Sequence, residues 1–319
     1  MDTRILMAVD GSDKGFEAVS ILGRLLKGQP GADLTLFHCL QQLQTLAPGE
    51  LVAISDEAYR LPISAQEKLG NAVLEEAHKR LVDSEFPEAG IHRKLKLDSV
   101  DAAQDILREA EEQDIPTIAV GRRGRTQLES LLLGSVSSKV AQYARGRAVW
   151  IVDSPIHETR NALIAMEGAP DAPSLTAYTS RHLAPIPNLR FTLLHLMPPM
   201  PPTLWDDGHI LTPAEQRERQ SQVERWRTDW AKRINSLMEE TRCSFMECRV
   251  PEEKIESRIL TTKEGIARDL LNVAAELRVQ MVVLGKRSFR ERKPFLLGSH
   301  ANKILQNAKG SIICLVDSI

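Results

Sequence analysis

The chain repeats itself. Residues Leu132–Ser154 read LLGSVSSKVAQYARGRAVWIVDS and Leu296–Ser318 read LLGSHANKILQNAKGSIICLVDS, at a constant offset of 164 with eleven of twenty-three positions identical. The match continues upstream, with Asp105-Ile106-Leu107 against Asp269-Leu270-Leu271 and Gly121 against Gly285. Earlier the offset falls to 157: Leu36-Phe37-His38 faces Leu193-Leu194-His195, and Ala8-Val9-Asp10-Gly11 faces Ala165-Met166-Glu167-Gly168. Self-similarity on this scale divides the 319 residues into two domains, 1–155 and 156–319. Only Ser154-Pro155-Ile156-His157 joins them, so the two copies are expected to pack tightly, as an intrachain pseudo-dimer.

Each copy alternates between strand and helix patterns. In the first, the short apolar run Ile5–Val9 predicts a strand buried on both faces. Asp13–Lys27 carries apolar residues at Phe16, Val19, Leu22, Leu25 and Leu26, the spacing of an amphipathic helix. A strand over Asp33–Leu40 follows, then a loop of more than twenty residues. Ser64-Ala65-Gln66-Glu67 reads as a capping box opening a helix to about Val82, and Thr212-Pro213-Ala214-Glu215 as its counterpart, with proline at the first helical position. Strands over Ile91–Leu97, Ile115–Val120 and Ala148–Val152 alternate with helices over Val100–Gln113 and Gly134–Arg145. This order predicts an α/β chain of two tandem doubly wound, Rossmann-like domains. Each would be a five-stranded parallel sheet with helices on both faces. Ligands of such sheets sit at the carboxyl ends of the strands, where strand order reverses.

That edge carries a glycine pattern. Val120 is followed by Gly121-Arg122-Arg123-Gly124, and nine residues later Gly134-Ser135-Val136-Ser137 opens a helix. Gly121 and Gly124 let backbone approach a ligand. Gly134 and Ser135 would offer amide hydrogens at a helix amino end, where donors and dipole favour an anion. Ser135 and Ser137 add hydroxyls, and Arg122, Arg123 and Arg125 add positive charge. Asp10, ending the first strand, suits a ribose hydroxyl or a divalent cation beside phosphates. Spacing alone leaves a second reading open, in which these are turn glycines and Ser135 caps a helix. No GxxxxGK[ST] or GxGxxG occurs.

The pattern Gly121-xx-Gly124-x9-Gly134-Ser135, with Ile5-Leu6-Met7-Ala8-Val9-Asp10-Gly11-Ser12 and Leu36-Phe37-His38-Cys39, resembles the universal stress proteins, of the HUP-type fold, here as two UspA-like domains in tandem. The resemblance implies ATP (or AMP or ADP) in the first copy, with Mg²⁺ held through the phosphates. Ala8, Val9, Asp10 and Cys39 would line the adenosine side. Gly121, Arg122, Gly124, Gly134, Ser135, Val136 and Ser137 would line the ribose and phosphates. It also implies dimerisation through the last strand, which in this chain the two copies could satisfy between themselves, with a further homodimer open.

The second copy departs from the pattern. Ser288 stands where the second glycine belongs, His300 and Ala301 replace Val136 and Ser137, and Glu167 replaces Asp10. Glu167, Gly285, Gly298 and Ser299 are therefore expected to form a weaker second site or a structural remnant. Other signals have plainer readings. His38 and His195 occupy equivalent strand positions and are expected to pack or to hydrogen-bond backbone rather than to bind a metal. Cys39 reads as a small hydrophobe, and Cys243 and Cys248 as unrelated thiols. Pro198-Pro199-Met200-Pro201-Pro202 reads as a stiff loop, and Trp226 and Trp230 as a helix face that covers the domain or meets a partner. Val-Asp-Ser after each last strand (Asp153, Asp317) reads as a strand-exit turn.

Composition narrows the function classes. Formal charge is 41 − 43 = −2, and aromatics are 4%, so neither nucleic acid nor an acidic membrane is an expected partner. Four cysteines without CxxC spacing argue against a zinc ribbon or a disulfide framework. The opening apolar stretch is too short for a signal peptide and no run reaches the ~18 residues of a membrane span, which points to the cytoplasm. No HxGH signature or nucleophile–base pair accompanies the glycines, so hydrolysis is expected to be slow or absent, with no catalytic residue assigned. The leading expectation is a nucleotide-dependent stress-response module acting on a protein partner that the sequence does not identify. The alternative is a nucleotide-free scaffold.

Overall fold

The computed structural model describes residues 3–41, 63–122, 133–166, 172–199, 211–286 and 297–317. The chain divides into two compact units, Met1–Ile156 and His157–Ile319.

The N-terminal unit runs β1 (Thr3–Ala8), α1 (Asp13–Leu26), β2 (Ala32–Gln41), α2 (Ile63–Asp83), β3 (Ile91–Ser99), α3 (Ala102–Glu112), β4 (Thr117–Gly121), α4 (Ser135–Tyr143) and β5 (Ala148–Val152). The strands pair in parallel in the order β3-β2-β1-β4-β5. The chain steps outward from β1 to β3, then returns to lay β4 on the other side of β1. Right-handed crossovers therefore put α1 and α2 on one face and α3 and α4 on the other. Each pair of helices is in contact. Central strands covered on both sides must be apolar throughout, and Ile5, Leu6, Met7, Ile118, Ala119 and all of β5 are buried. β3 has one neighbour, and its exposed His92, Arg93, Lys94 and Lys96 keep that edge polar.

The C-terminal unit repeats this plan with β6 (Asn161–Ala165), α5 (Ala172–Tyr178), β7 (Arg190–Met197), α6 (Pro213–Glu247), β8 (Ile255–Thr261), α7 (Ile266–Glu276), β9 (Met281–Gly285), α8 (Ser299–Asn307) and β10 (Ile312–Val316). Its parallel order is β8-β7-β6-β9-β10. A π-helical turn, Thr179–Leu183, extends α5.

Several helix starts follow local chemistry. Ser12 caps α1, accepting the Gly15 N–H, and Asp101 caps α3. Thr212 and Glu215 form the expected capping box, with Pro213 at the first position. Ser64 does not cap α2: the helix already includes Ile63, so Ser64 lies inside its first turn. α6 has 35 residues, but Ile234, Met238, Thr241 and Phe245 are its buried ones. Phe245 stacks on Phe191 of β7, with ring centroids 4.6 Å apart. Among the described residues, the buried positions of α6 thus lie in its carboxyl half, and its amino half is polar and largely exposed.

Candidate functional site

In the N-terminal unit the described candidates converge on one edge. Ala8 ends β1 and leads into Val9 and Asp10, Cys39 lies near the end of β2, Gly121 ends β4, and Gly134 precedes α4. β1 and β4 are the neighbours at which strand order reverses, so their carboxyl ends flank the crevice of this fold.

The β4–α4 connection is pinned where it leaves and rejoins the sheet. Arg122 N–H donates to Val152 O at 2.8 Å, and Gly134 N–H donates to Arg122 O at 2.9 Å. Ser137 Oγ donates to Gly121 O at 2.6 Å. This changes two sequence expectations. The Gly134 amide is occupied by Arg122 O, and the single hydroxyl proton of Ser137 binds backbone, so Ser137 works as a clasp between strand and helix. The donors that remain are the backbone amides of Ser135, Val136 and Ser137. A helix cannot satisfy its own first-turn amides, and the cap position, Gly134, has no side chain to do so. α1 and α3, by contrast, have a serine and an aspartate there.

The first strand ends in a fixed carboxylate. Val9 N–H donates to Phe37 O, continuing the ladder past β1. Gly11 then turns the chain at φ 78°, in the left-handed region. Asp10 Oδ1 accepts both the Ser12 N–H at 3.0 Å and the Ser12 Oγ–H at 2.7 Å. Cys39 is half-buried, and burial, reinforced by the Asp105 carboxylate, pushes its thiol up to about 12. At that value the thiol is neutral and a poor nucleophile, in keeping with a small hydrophobe. His38 Nδ1 bonds Val9 O at 2.6 Å and His195 Nδ1 bonds Met166 O at 2.5 Å, the backbone alternative of the two roles expected.

Arg122 does not face solvent. It is 6% exposed, and its Nε lies 3.4 Å from Asp153 Oδ2. Asp153 Oδ1 also accepts the Ser154 N–H, the expected strand-exit turn. Lys286 and Asp317 occupy the same positions in the second copy and are buried too. The sequence carries the signal for this pair, a cation and an aspartate recurring at the offset of 164.

The C-terminal unit reproduces the frame. Lys286 N–H donates to Val316 O and Gly298 N–H to Lys286 O. Gly298 likewise precedes α8 without a side-chain cap. Ala301, replacing Ser137, has no hydroxyl to clasp Gly285. Trp230 of α6 reaches the end of β7, where its indole N–H donates to His195 Nε2 at 2.8 Å, and Trp226 stacks beside it at 5.5 Å. Gly124, Arg123, Arg125, Glu167 and Ser288 lie outside the described residues, as do Met200, Pro201 and Pro202. Arg227 holds the Pro199 carbonyl at 2.7 Å. Cys243 and Cys248 are free thiols near the end of α6. Among the described residues, no cluster of three His, Cys, Asp or Glu could hold a metal, and no helix is long and apolar enough to cross a membrane.

Comparison with known proteins agrees with this layout. The family model for the universal stress protein family matches residues 1–152 and again 158–315. A universal stress protein of Mycolicibacterium smegmatis is 25% identical over 318 residues, covering 95% of this chain and 94% of its own. Universal stress protein YxiE of Bacillus subtilis is 29% identical over 144 residues, 44% of this chain and 93% of its own. The crystal structure of a universal stress protein from Archaeoglobus fulgidus superposes with a TM-score of 0.61 at 16% identity, covering 99% of this chain and 96% of that one. With two matched segments that together span nearly the whole chain, each containing one run of five parallel strands, the chain belongs to the universal stress protein family.

Proposed function

We propose that the N-terminal unit binds an adenine nucleotide, ATP or its mono- or diphosphate, and that occupancy alters the surface offered to a protein partner in a stress response. The observation that carries this reading is the start of α4: three first-turn amides, a glycine in the capping position, and both ends of the preceding connection pinned to the sheet. Such a start presents donors and a helix dipole to phosphate oxygens. Asp10, on the neighbouring strand end, suits a ribose hydroxyl. Ala8, Val9 and the neutral Cys39 supply apolar wall for the base. Arg122 contributes through the field of its Asp153-paired cation and through the backbone it anchors. Mg²⁺ would arrive with the phosphates.

Hydrolysis is slow or absent in this reading, because among the described residues none at the edge combines the geometry of a nucleophile with that of a base. The C-terminal unit keeps a glycine at the α8 cap position but lacks the Ser137 clasp, and we assign it weaker binding or a structural role. Isothermal titration with ATP, paired with mass spectrometry of small molecules released from the purified protein, tests the proposal. Heat with about one site per chain, or copurified nucleotide, supports it. Neither heat nor nucleotide overturns it in favour of the scaffold reading.

A further inference from the structure

Gly15 lies inside α1, and its backbone is not in the left-handed region. Its conformation does not ask for glycine, and glycine within a helix is a liability relative to alanine. Space asks for it. A Cβ on Gly15 would stand 2.5 Å from Asp10 Oδ1 and 3.2 Å from Ser12 Oγ. Those same atoms form a chain of hydrogen bonds. Gly15 N–H donates to Ser12 Oγ at 3.0 Å, and Ser12 Oγ–H donates to Asp10 Oδ1 at 2.7 Å. The Ser12 amide donates to that same oxygen at 3.0 Å. The Asp10 carboxylate is therefore drawn back over the amino end of α1, where the dipole favours it, into the place a side chain at position 15 would fill.

We infer that Gly15 is a positioning residue of the nucleotide site: its missing side chain seats Asp10 Oδ1 on Ser12 and leaves Oδ2 as the acceptor for a ribose hydroxyl. This rests on the nucleotide reading proposed above. Oδ1 takes both Ser12 donors, while among the described residues Oδ2 takes none. One oxygen fixed and one free is the arrangement of a directional acceptor, whereas a carboxylate swinging about its Cα–Cβ bond would select no particular hydroxyl. Gly15 touches no ligand in this scheme and acts only through Asp10.

The test separates positioning from general damage by using a ligand that lacks the recognised groups. ATP and 2′,3′-dideoxy-ATP are titrated into the wild-type protein and Gly15→Ala, and exchange of the Ser12 amide hydrogen is followed by NMR. The wild type should prefer ATP by about tenfold, or 1.4 kcal/mol. Gly15→Ala should lose that preference, bind dideoxy-ATP as the wild type does, and expose the Ser12 amide to exchange. Unchanged ATP preference, or equal loss of both ligands, overturns the inference. If the wild type binds neither ligand, the nucleotide reading fails. The positioning of Asp10 is then judged on the Ser12 amide, with faster exchange in Gly15→Ala supporting it and retained protection overturning it. Should Gly15→Ala not fold, Ser12→Ala removes one donor to the same oxygen without adding bulk. A selective loss of ATP over dideoxy-ATP supports the inference there, and equal loss overturns it.

Discussion

Trp230 and His195 form a two-step relay from a helix to a strand end: the indole N–H donates to His195 Nε2 at 2.8 Å, and Nδ1 donates onward to Met166 O. The relay fixes the ring as the Nδ1–H tautomer and moors the otherwise exposed middle of α6 to the sheet edge. Trp230→Phe keeps a ring but removes the donor, leaving a buried acceptor unsatisfied. The expected loss is about 1–2 kcal/mol in urea unfolding. Trp230→Ala should cost more, because the stack on Trp226 goes as well. A Trp230→Phe protein as stable as the wild type would show that α6 is held by Ile234, Met238 and Phe245 alone.

Acid should destabilise the C-terminal unit through two histidines. Burial pushes His182 down to about 4, with Arg181 adding to the effect, and burial also lowers His195 against the opposing pull of Met166 O. Both are lower folded than unfolded, so the unfolded chain takes up protons first as pH falls. Stability is then fully present above about 6.5, the unfolded value, and is lost as pH falls toward 4. The His182 share is roughly 2–3 kcal/mol. His182→Gln should flatten the dependence of unfolding free energy on pH between 6.5 and 4. An unaltered slope would remove His182 as the cause.

Much of this was readable beforehand, because it is written in local patterns. The duplication, the apolar strands and the Thr212 box each follow from residues close together in sequence. What stayed hidden depends on three-dimensional neighbours. The Gly15 requirement appears only when the Asp10 carboxylate is seen against it. Ser137 looks like a ligand hydroxyl until Gly121 O is found 2.6 Å away. Ser64 fails as a cap because α2 already includes Ile63, one residue before the box motif begins.

The pair of buried Arg122 with part-buried Asp153 should matter more to stability than to recognition. Taking a guanidinium out of water is costly, and removing its carboxylate partner leaves much of that cost in place. Asp153→Asn is nearly isosteric and should destabilise the protein by about 1–3 kcal/mol. Arg122→Met, which removes the charge and keeps apolar volume, should cost less. Thermal unfolding of the two variants gives the order directly. If Arg122→Met is the worse, the arginine does more than balance Asp153.

Gly134→Asp sets stability and binding against each other. Gly134 sits at the α4 cap position with φ −65° and ψ 152°, a conformation open to any L-residue. Aspartate is among the best capping residues: its carboxylate can accept the amides of Val136 or Ser137, and its charge suits the dipole. The gain over glycine is a few tenths of a kcal/mol from the cap itself and up to about 1 kcal/mol with the charge included. The same carboxylate would occupy the donors proposed for phosphate and repel it. The variant should therefore melt slightly higher than the wild type while showing no heat with ATP. Ser137→Ala is the complement: it leaves the amides free but loosens the clasp on Gly121 O, which should cost about 1 kcal/mol of stability and weaken ATP severalfold. Binding that survives Gly134→Asp at wild-type strength would mean that nucleotide, if bound, does not use the start of α4.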